Sequence, residues 1–254
     1  MVRKVVCRGI IVLGLLAGAS IGFAQQASTT DSSAAELKKN IAIIKREDKN
    51  GEGSGLIEGT TKKLVTYLKR YDLSAAEAQT LGLHLSVDSK DANGFKVYTF
   101  VYDSGNSRGA ISIPVMQWKN QAGKLFAFAP AIQSSFFKVR RLNSPGRTLY
   151  LLLGTEKGSA GCTRNQAQVV QLKGDYLLLD TPAFGKRASL DLCNVWMEFD
   201  ARQQKLILEA SPFSFDSDGP EDEQYQLLKR LGLLNPTAPK TGVLRFNGQR
   251  FVKP

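Results

Sequence analysis

Arg147-Thr-Leu-Tyr-Leu-Leu-Leu-Gly154 opens a run of strand-like segments. Gln168-Val-Val-Gln-Leu-Lys-Gly-Asp-Tyr-Leu-Leu-Leu-Asp180 and Leu190-Asp-Leu-Cys-Asn-Val-Trp-Met-Glu-Phe-Asp200 continue it, up to Ala210. Leucine, β-branched and aromatic residues fill these segments, and turn residues bound them. Strands are expected at about 148–154, 166–172, 175–180, 190–199 and 204–210, with tight hairpins at Lys173-Gly174 and Ala201–Gln203. Two cysteines, Cys162 and Cys193, are set into this run.

Upstream, Phe95-Lys-Val-Tyr-Thr-Phe-Val-Tyr102 follows the turn signal Asn93-Gly94 and reads as a strand. Ala110–Trp118 is a second, where Pro114 implies an edge position or a bulge. Lys124–Ala129 and Phe136–Leu142 add a third and a fourth. In the fourth, alternation puts Lys138 and Arg140 on one face and Phe137, Val139 and Arg141 on the other. Near the C-terminus, Asn247-Gly248 predicts a type I′ hairpin within 243–252. Gln224–Leu231 reads as one short helix.

The N-terminal part has a helical period instead. Ser33 and Glu36 form a capping-box pattern ahead of Leu37, Ile41 and Ile44, which predicts a helix over 34–46. A second is expected over 61–71, on the stripe Leu64, Tyr67, Leu68 and Tyr71, after a glycine-rich loop at 48–55. Ser74 and Glu77 open a third, short one. Helices gathered at one end of a strand meander define an α+β class with a predominantly antiparallel sheet. A sandwich, an open barrel and a propeller-like curl all satisfy the pattern; the lack of a repeat of constant period weighs against the last.

The first 24 residues carry a basic start (Arg3, Lys4, Arg8), an apolar run from Gly9 to Ala19, and small residues that suit cleavage after Ala24. This is the pattern of a secretory signal peptide, with an apolar run too short to span a bilayer. The expected organisation is a signal peptide at 1–24, a disordered leader at 25–33, a helical segment at 34–82 and an antiparallel β domain at 83–254. Processing would lower the formal charge from +11 to +8, because three bases leave and no acid does. It would leave no transmembrane segment, and the destination would be periplasmic or extracellular. Cys7 would also leave, so an oxidising compartment predicts one bridge, Cys162–Cys193.

Most catalytic signatures are missing. His84 is the lone histidine, so no histidine cluster can hold a metal and any Ser-His-Asp triad would depend on it. Asp48-Lys-Asn-Gly-Glu52 resembles the start of a calcium loop, but Gly59 stands where the closing glutamate belongs. The strings of penicillin-recognising enzymes occur at Ser135–Lys138, Ser104–Asn106 and Lys240–Gly242, in the wrong order and with Ser135 in strand-like sequence. No phosphate-cradling glycine loop is present. No cofactor and no metal are expected, and no nucleic acid. The densest acidic group, Asp216 to Glu223, reads as a solvated loop. Lys138, Arg140, Arg141 and Arg147, near Phe136 and Phe137, are the candidate anion-binding group.

Ser86–Tyr98, Gln117-Trp118 with Gly123-Lys124, and Leu149–Gly154 resemble a pattern in uncharacterised exported β-rich proteins of bacteria. The resemblance spans about half the chain and implies export and β structure, with no activity to carry over. The functional expectation is a non-enzymatic envelope or secreted protein that binds an envelope protein or an anionic glycan. The alternative is a hydrolase of cell-wall or polysaccharide substrates that uses paired carboxylates. A flat aromatic face bearing Trp118 or Trp196 would favour binding; a deep cleft with facing carboxylates would favour hydrolysis.

Overall fold

The computed structural model describes residues 21–47, 54–91, 94–103, 109–157, 162–210, 221–234 and 237–254. Most of the expected signal peptide, residues 48–53 of the calcium-like loop, Asn93, Ser104–Asn106, and Asp216 with Asp218 lie outside these residues.

Three helices come first: α1 (Ile21–Glu47), α2 (Ser54–Leu68) and α3 (Ala75–Thr80). α1 begins well before the expected helix. It passes through Ser33, which is therefore no N-cap, and through the expected disordered leader at 25–33. That leader contains neither glycine nor proline, so nothing in it breaks a helix. α2 likewise starts earlier than the apolar stripe indicated. At α3 the Ser74–Glu77 capping box forms as expected.

The strands make three antiparallel sheets. Sheet 1 holds β1 (His84–Val87), β2 (Phe95–Asp103), β3 (Ala110–Lys119) and β4 (Leu125–Phe128), in that order. Sheet 2 holds β5 (Ser135–Leu142), β6 (Thr148–Lys157), β7 (Thr163–Lys173) and β8 (Tyr176–Leu178), with β9 (Ser189–Cys193) also paired to β7. Sheet 3 holds β10 (Val195–Asp200), β11 (Lys205–Ala210), β12 (Lys240–Phe246) and β13 (Phe251–Val252). Helix α4 (Glu223–Leu231) lies between β11 and β12 in the chain, and caps the core of sheets 2 and 3 with Leu228 and the following Leu233. The α+β, mainly antiparallel class stands. The meander divides into three sheets that pack face to face.

Sheet 2 is the middle layer. Leu149, Leu151 and Leu153 of β6 pack with β9, sheet 3 and α4. Tyr150 and Leu152, which alternate with them, pack with Phe95, Val97, Met116 and Trp118 of sheet 1. An unbroken apolar strand is the sequence signature of burial on two faces. The other face of sheet 1 is covered by the helices: Leu37, Ile41, Ile44, Leu64 and Leu68 meet Tyr98, Phe100 and Val115.

Three local departures shape the surface. The expected strand 190–199 is two strands, because Asn194 adopts a left-handed conformation (φ 54°) and moves the chain from sheet 2 to sheet 3. Asparagine is among the few residues that tolerate this. In β5 a bulge between Phe136 and Lys138 lets both Phe136 and Val139 enter the core between sheets 1 and 2, and leaves Phe137 outside. The last hairpin is not type I′. Asn247 N–H donates to Arg250 O at 3.1 Å, so Gly248-Gln249 are the central pair, and of these only Gly248 has positive φ.

Polar side chains on sheet 1 fasten the helical layer. α2 ends with carbonyls that lack helical partners. Gln117 Nε2 donates to Leu68 O at 2.6 Å and Tyr71 O at 2.8 Å. Lys96 Nζ donates to Asp72 Oδ1 at 2.5 Å and Leu73 O at 3.1 Å, and Lys119 Nζ to Asp72 Oδ2 at 2.6 Å. Partial burial raises the Asp72 carboxyl pKa, but the two lysine hydrogen bonds outweigh that and hold it below the usual carboxylate range. Burial, and then the nearby Asp72 charge, push the Tyr98 phenol well above its ordinary value, so it stays a neutral donor.

Two stability tests follow from this packing. A Cβ on Gly154 would lie 2.8 Å from Phe136 Cδ1 and 3.0 Å from Ser135 O, so Gly154→Ala is expected to cost about 1–3 kcal/mol in urea unfolding. Gly59, in α2 with no atom within 4 Å of such a Cβ, is the control; its alanine variant is expected to gain about 0.5–1 kcal/mol. Asp72→Asn leaves the nearly buried Lys96 ammonium without its carboxylate, a loss of about 1–3 kcal/mol at pH 7. Because the Asp72 pKa is depressed, its contribution is complete above the unfolded value of about 3.9 and disappears as pH falls through the folded value. Unfolding curves of wild type and Asp72→Asn should therefore converge only in strong acid, and a gap that is independent of pH would refute the ion-pair role.

Candidate functional site

The expected anion-binding group does not converge. Arg147 Nη2 donates to Gln249 O at 3.1 Å and so ties β6 to the β12–β13 turn. Arg141 Nη1 lies 3.3 Å from Asp91 Oδ2 and its backbone N–H donates to Asp88 Oδ2 at 2.8 Å. Arg140 Nη1 donates to its neighbour's carbonyl, Val139 O, at 2.8 Å. On β5, Lys138 and Arg140 alternate with Arg141, so they occupy the opposite face of the strand. Two of the four cations thus serve as fasteners, and the group spans both sides of sheet 2.

Asp88 and Asp91 put two carboxylates into the β1–β2 turn, and both are already engaged. Asp88 accepts from the Lys90 and Arg141 backbone N–H groups. Asp91 accepts from the Tyr150 hydroxyl and from Arg141. Burial, followed by the hydrogen bond to Asp91 and its charge, drives the Tyr150 phenol well above its ordinary value. This cluster locks the β1–β2 turn onto sheet 2. Among the described residues, no group of three or more histidine, cysteine, aspartate or glutamate side chains gathers as a metal cage. His84 is exposed on β1.

Two other places have the character of a site; the sequence offered Trp196 for the first, and its pairing with Phe137 and the whole of the second depend on contacts between distant segments. The first is aromatic. Trp118 is in the core, 5% exposed and stacked on Phe126. Trp196 is 52% exposed on the outer face of sheet 3, because Val195, Met197 and Phe199 take the inner positions of β10. Phe137, turned out by the β5 bulge and 38% exposed, lies beside it; the ring centroids are 6.1 Å apart and the planes differ by 10°. Exposed Glu209 stands directly across the sheet from Trp196, and exposed Glu198 is two residues along β10.

The start of β10 is held firmly. Cys162 and Cys193 are joined by a disulfide with Cα atoms 5.4 Å apart. Next in the chain, Asn194 N–H donates to Thr163 O at 2.8 Å, and Asn194 Oδ1 accepts from Thr163 N–H at 3.0 Å. Trp196 follows two residues later.

The second place is a cleft of about 550 Å³ between α4, the β8–β9 connection and β13. Lys186, Arg187, Arg230, Arg250 and Lys253 line it, together with Glu221 and Glu223. Its apolar side includes Phe184 and Phe251, stacked at 4.9 Å.

No family model matches the chain, and neither a curated protein nor a solved structure does. The chemistry of these two places therefore carries the functional argument. Among the described residues no helix is long and apolar enough to cross a membrane.

The bridge closes a loop with a sequence separation of 31 residues. Replacing both cysteines by serine is expected to lower stability by about 3–4 kcal/mol in the chain-entropy model. Urea unfolding of the oxidised wild type and the double variant measures it; equal stabilities would show that the bridge contributes nothing beyond the Asn194–Thr163 pairing.

Proposed function

We propose that this chain is an exported, non-enzymatic protein of the bacterial envelope or its surroundings, and that it binds glycan. The exposed Trp196–Phe137 pair carries the reading. A large aromatic side chain left half in water forgoes burial worth about 1.5–3 kcal/mol, so its place on the surface calls for a partner. Two near-parallel, stacked rings, both exposed, offer apolar ring surface of the kind a pyranose face can cover. Glu198 and Glu209 beside them supply acceptors for sugar hydroxyls.

An envelope protein fits less well as partner. The large exposed apolar side chains, Phe128, Phe137, Tyr176, Leu178 and Trp196, are distributed over all three sheets and do not make one broad patch. Hydrolysis has less support too: Asp88 and Asp91 are both engaged in holding the β1–β2 turn, and Glu221 and Glu223, which line the cleft, are outnumbered there by five cations. The export half of the proposal rests on the basic and apolar start of the chain, the cleavage pattern at Ala24 and the single Cys162–Cys193 bridge.

The chain has only two tryptophans, and one is buried, so fluorescence reports on the platform. Titration with β-1,4-linked N-acetylglucosamine oligosaccharides is expected to shift Trp196 emission to the blue. Trp196→Ala should weaken binding, read by calorimetry, by about tenfold or more, near 1.4 kcal/mol. Phe137→Ala should give a smaller loss. If a panel of cell-wall and acidic oligosaccharides leaves both emission and heat unchanged, the glycan reading is wrong. N-terminal sequencing of protein recovered from the envelope or medium is expected to begin at Gln25.

A further inference from the structure

We propose that the cleft between α4, the β8–β9 connection and β13 is a binding site for a phosphate-bearing small molecule, separate from the aromatic platform. Its walls come from parts of the chain far apart in sequence: Lys186 and Arg187, then Arg230, then Arg250 and Lys253. Five cations meet there, against the carboxylates of Glu221 and Glu223. Among the described residues, Lys186, Arg230 and Arg250 have no carboxylate or hydrogen-bond partner for their side chains. With five cations against two lining carboxylates the concavity keeps an excess of positive charge, which raises the local potential and concentrates anions.

Two of the five are held in place. Arg187 Nη2 donates to Asp222 Oδ2 at 2.5 Å, and the Asp222 carboxylate is almost fully buried. The other oxygen of Asp222 caps α4 by accepting from Gln224 N–H at 2.6 Å and Tyr225 N–H at 3.3 Å. Asp222 is thereby fully used, while Arg187 keeps most of its five N–H donors free for a ligand. Lys253 Nζ donates to Arg230 O at 3.0 Å and fixes the end of β13 against α4. The cleft is therefore braced on both sides before any ligand arrives, which lowers the ordering cost of binding.

Guanidinium forks pair with phosphate oxygens through two parallel hydrogen bonds, and three arginines with two lysines suit a dianion better than a single carboxylate. The volume of about 550 Å³ falls within the range of about 300–1,000 Å³ typical of small-molecule sites. It is more than a bare ion needs. The apolar side formed by Phe184, Phe251, Leu227 and Leu231 leaves room for an organic body attached to the phosphate.

The test uses the full chain, calorimetry, and two phosphomonoester probes: phenyl phosphate in solution, and vesicles that contain phosphatidic acid. The variant is Arg230→Gln/Arg250→Gln. Both side chains are exposed and unpartnered, so its melting temperature should equal that of wild type. Lys138→Gln/Arg140→Gln removes the same charge elsewhere and is the control. The expected result is that phenyl phosphate, the vesicles, or both bind the wild type, that the first variant weakens this at least tenfold, and that the control does not. The arm that responds identifies a soluble ester or a lipid headgroup as the source of the phosphate. Absence of binding in both arms overturns the proposal, as does an equal loss in variant and control, which would mean attraction by net charge alone. Trp196→Ala should leave phosphate binding intact, so the outcome is independent of the glycan reading.

Discussion

Burial of sheet 2 on both faces is the constraint from which the architecture follows. Leu149, Leu151 and Leu153 point one way and Tyr150 and Leu152 the other, and all five are buried. At about 1.5–3 kcal/mol for each fully buried large apolar side chain, a strand of this composition cannot sit on a surface. One layer must cover each side. Sheet 1 covers one, and its own outer face, with Tyr98, Phe100 and Val115, then requires the helices. Sheet 3 covers the other, and there the stack ends. Its outer positions alternate with a fully buried inner row, and it is on this last face that Trp196 remains in water.

At the end of the stack several constraints act on one short stretch of chain. The passage from β9 to β10 must leave sheet 2 and enter sheet 3 within one residue, and Asn194 supplies the left-handed backbone that makes this change of direction. The bridge from Cys193 to Cys162 anchors the residue before it, and the paired hydrogen bonds to Thr163 anchor Asn194 itself. A side chain two residues beyond such a fixed point has little freedom in position. That rigidity is what a binding surface needs if order is not to be lost again when a ligand arrives.

Much of the fold is legible in the residues alone. Aromatic and β-branched runs mark nearly every strand, and the helical period at Leu37, Ile41 and Ile44 marks α1. The continuous apolar run of β6 is a readable sign of two-sided burial, since strands with one solvated face alternate. What is not legible depends on contacts between distant segments. Asn194 sits in a run that reads as one strand, and only the competing partners β7 and β11 split it. The β5 bulge follows from the close fit of Phe136 over Gly154, which no local pattern records. At Asn247-Gly248 the side chain of Asn247 accepts from the Gln249 and Arg250 N–H groups and shifts the turn by one residue.

The same distinction explains the fate of the basic residues. Lys138, Arg140, Arg141 and Arg147 stand out because they are close in sequence, but β alternation sends neighbours to opposite faces. Three of the four then find carbonyl or carboxylate partners, and two of these, Arg141 and Arg147, tie distant segments together and become part of the scaffold. The cations that do converge come from three separate stretches, Lys186-Arg187, Arg230, and Arg250 with Lys253, and the packing of the β8–β9 connection, α4 and β13 brings them together. In a meander of antiparallel strands, charge density along the chain thus says little about potential at the surface. The informative quantity is which cations are left over after the turns and strand ends have been fastened. By that measure Arg141 and Arg147 serve the fold, while Arg230 and Arg250 are free to serve a ligand.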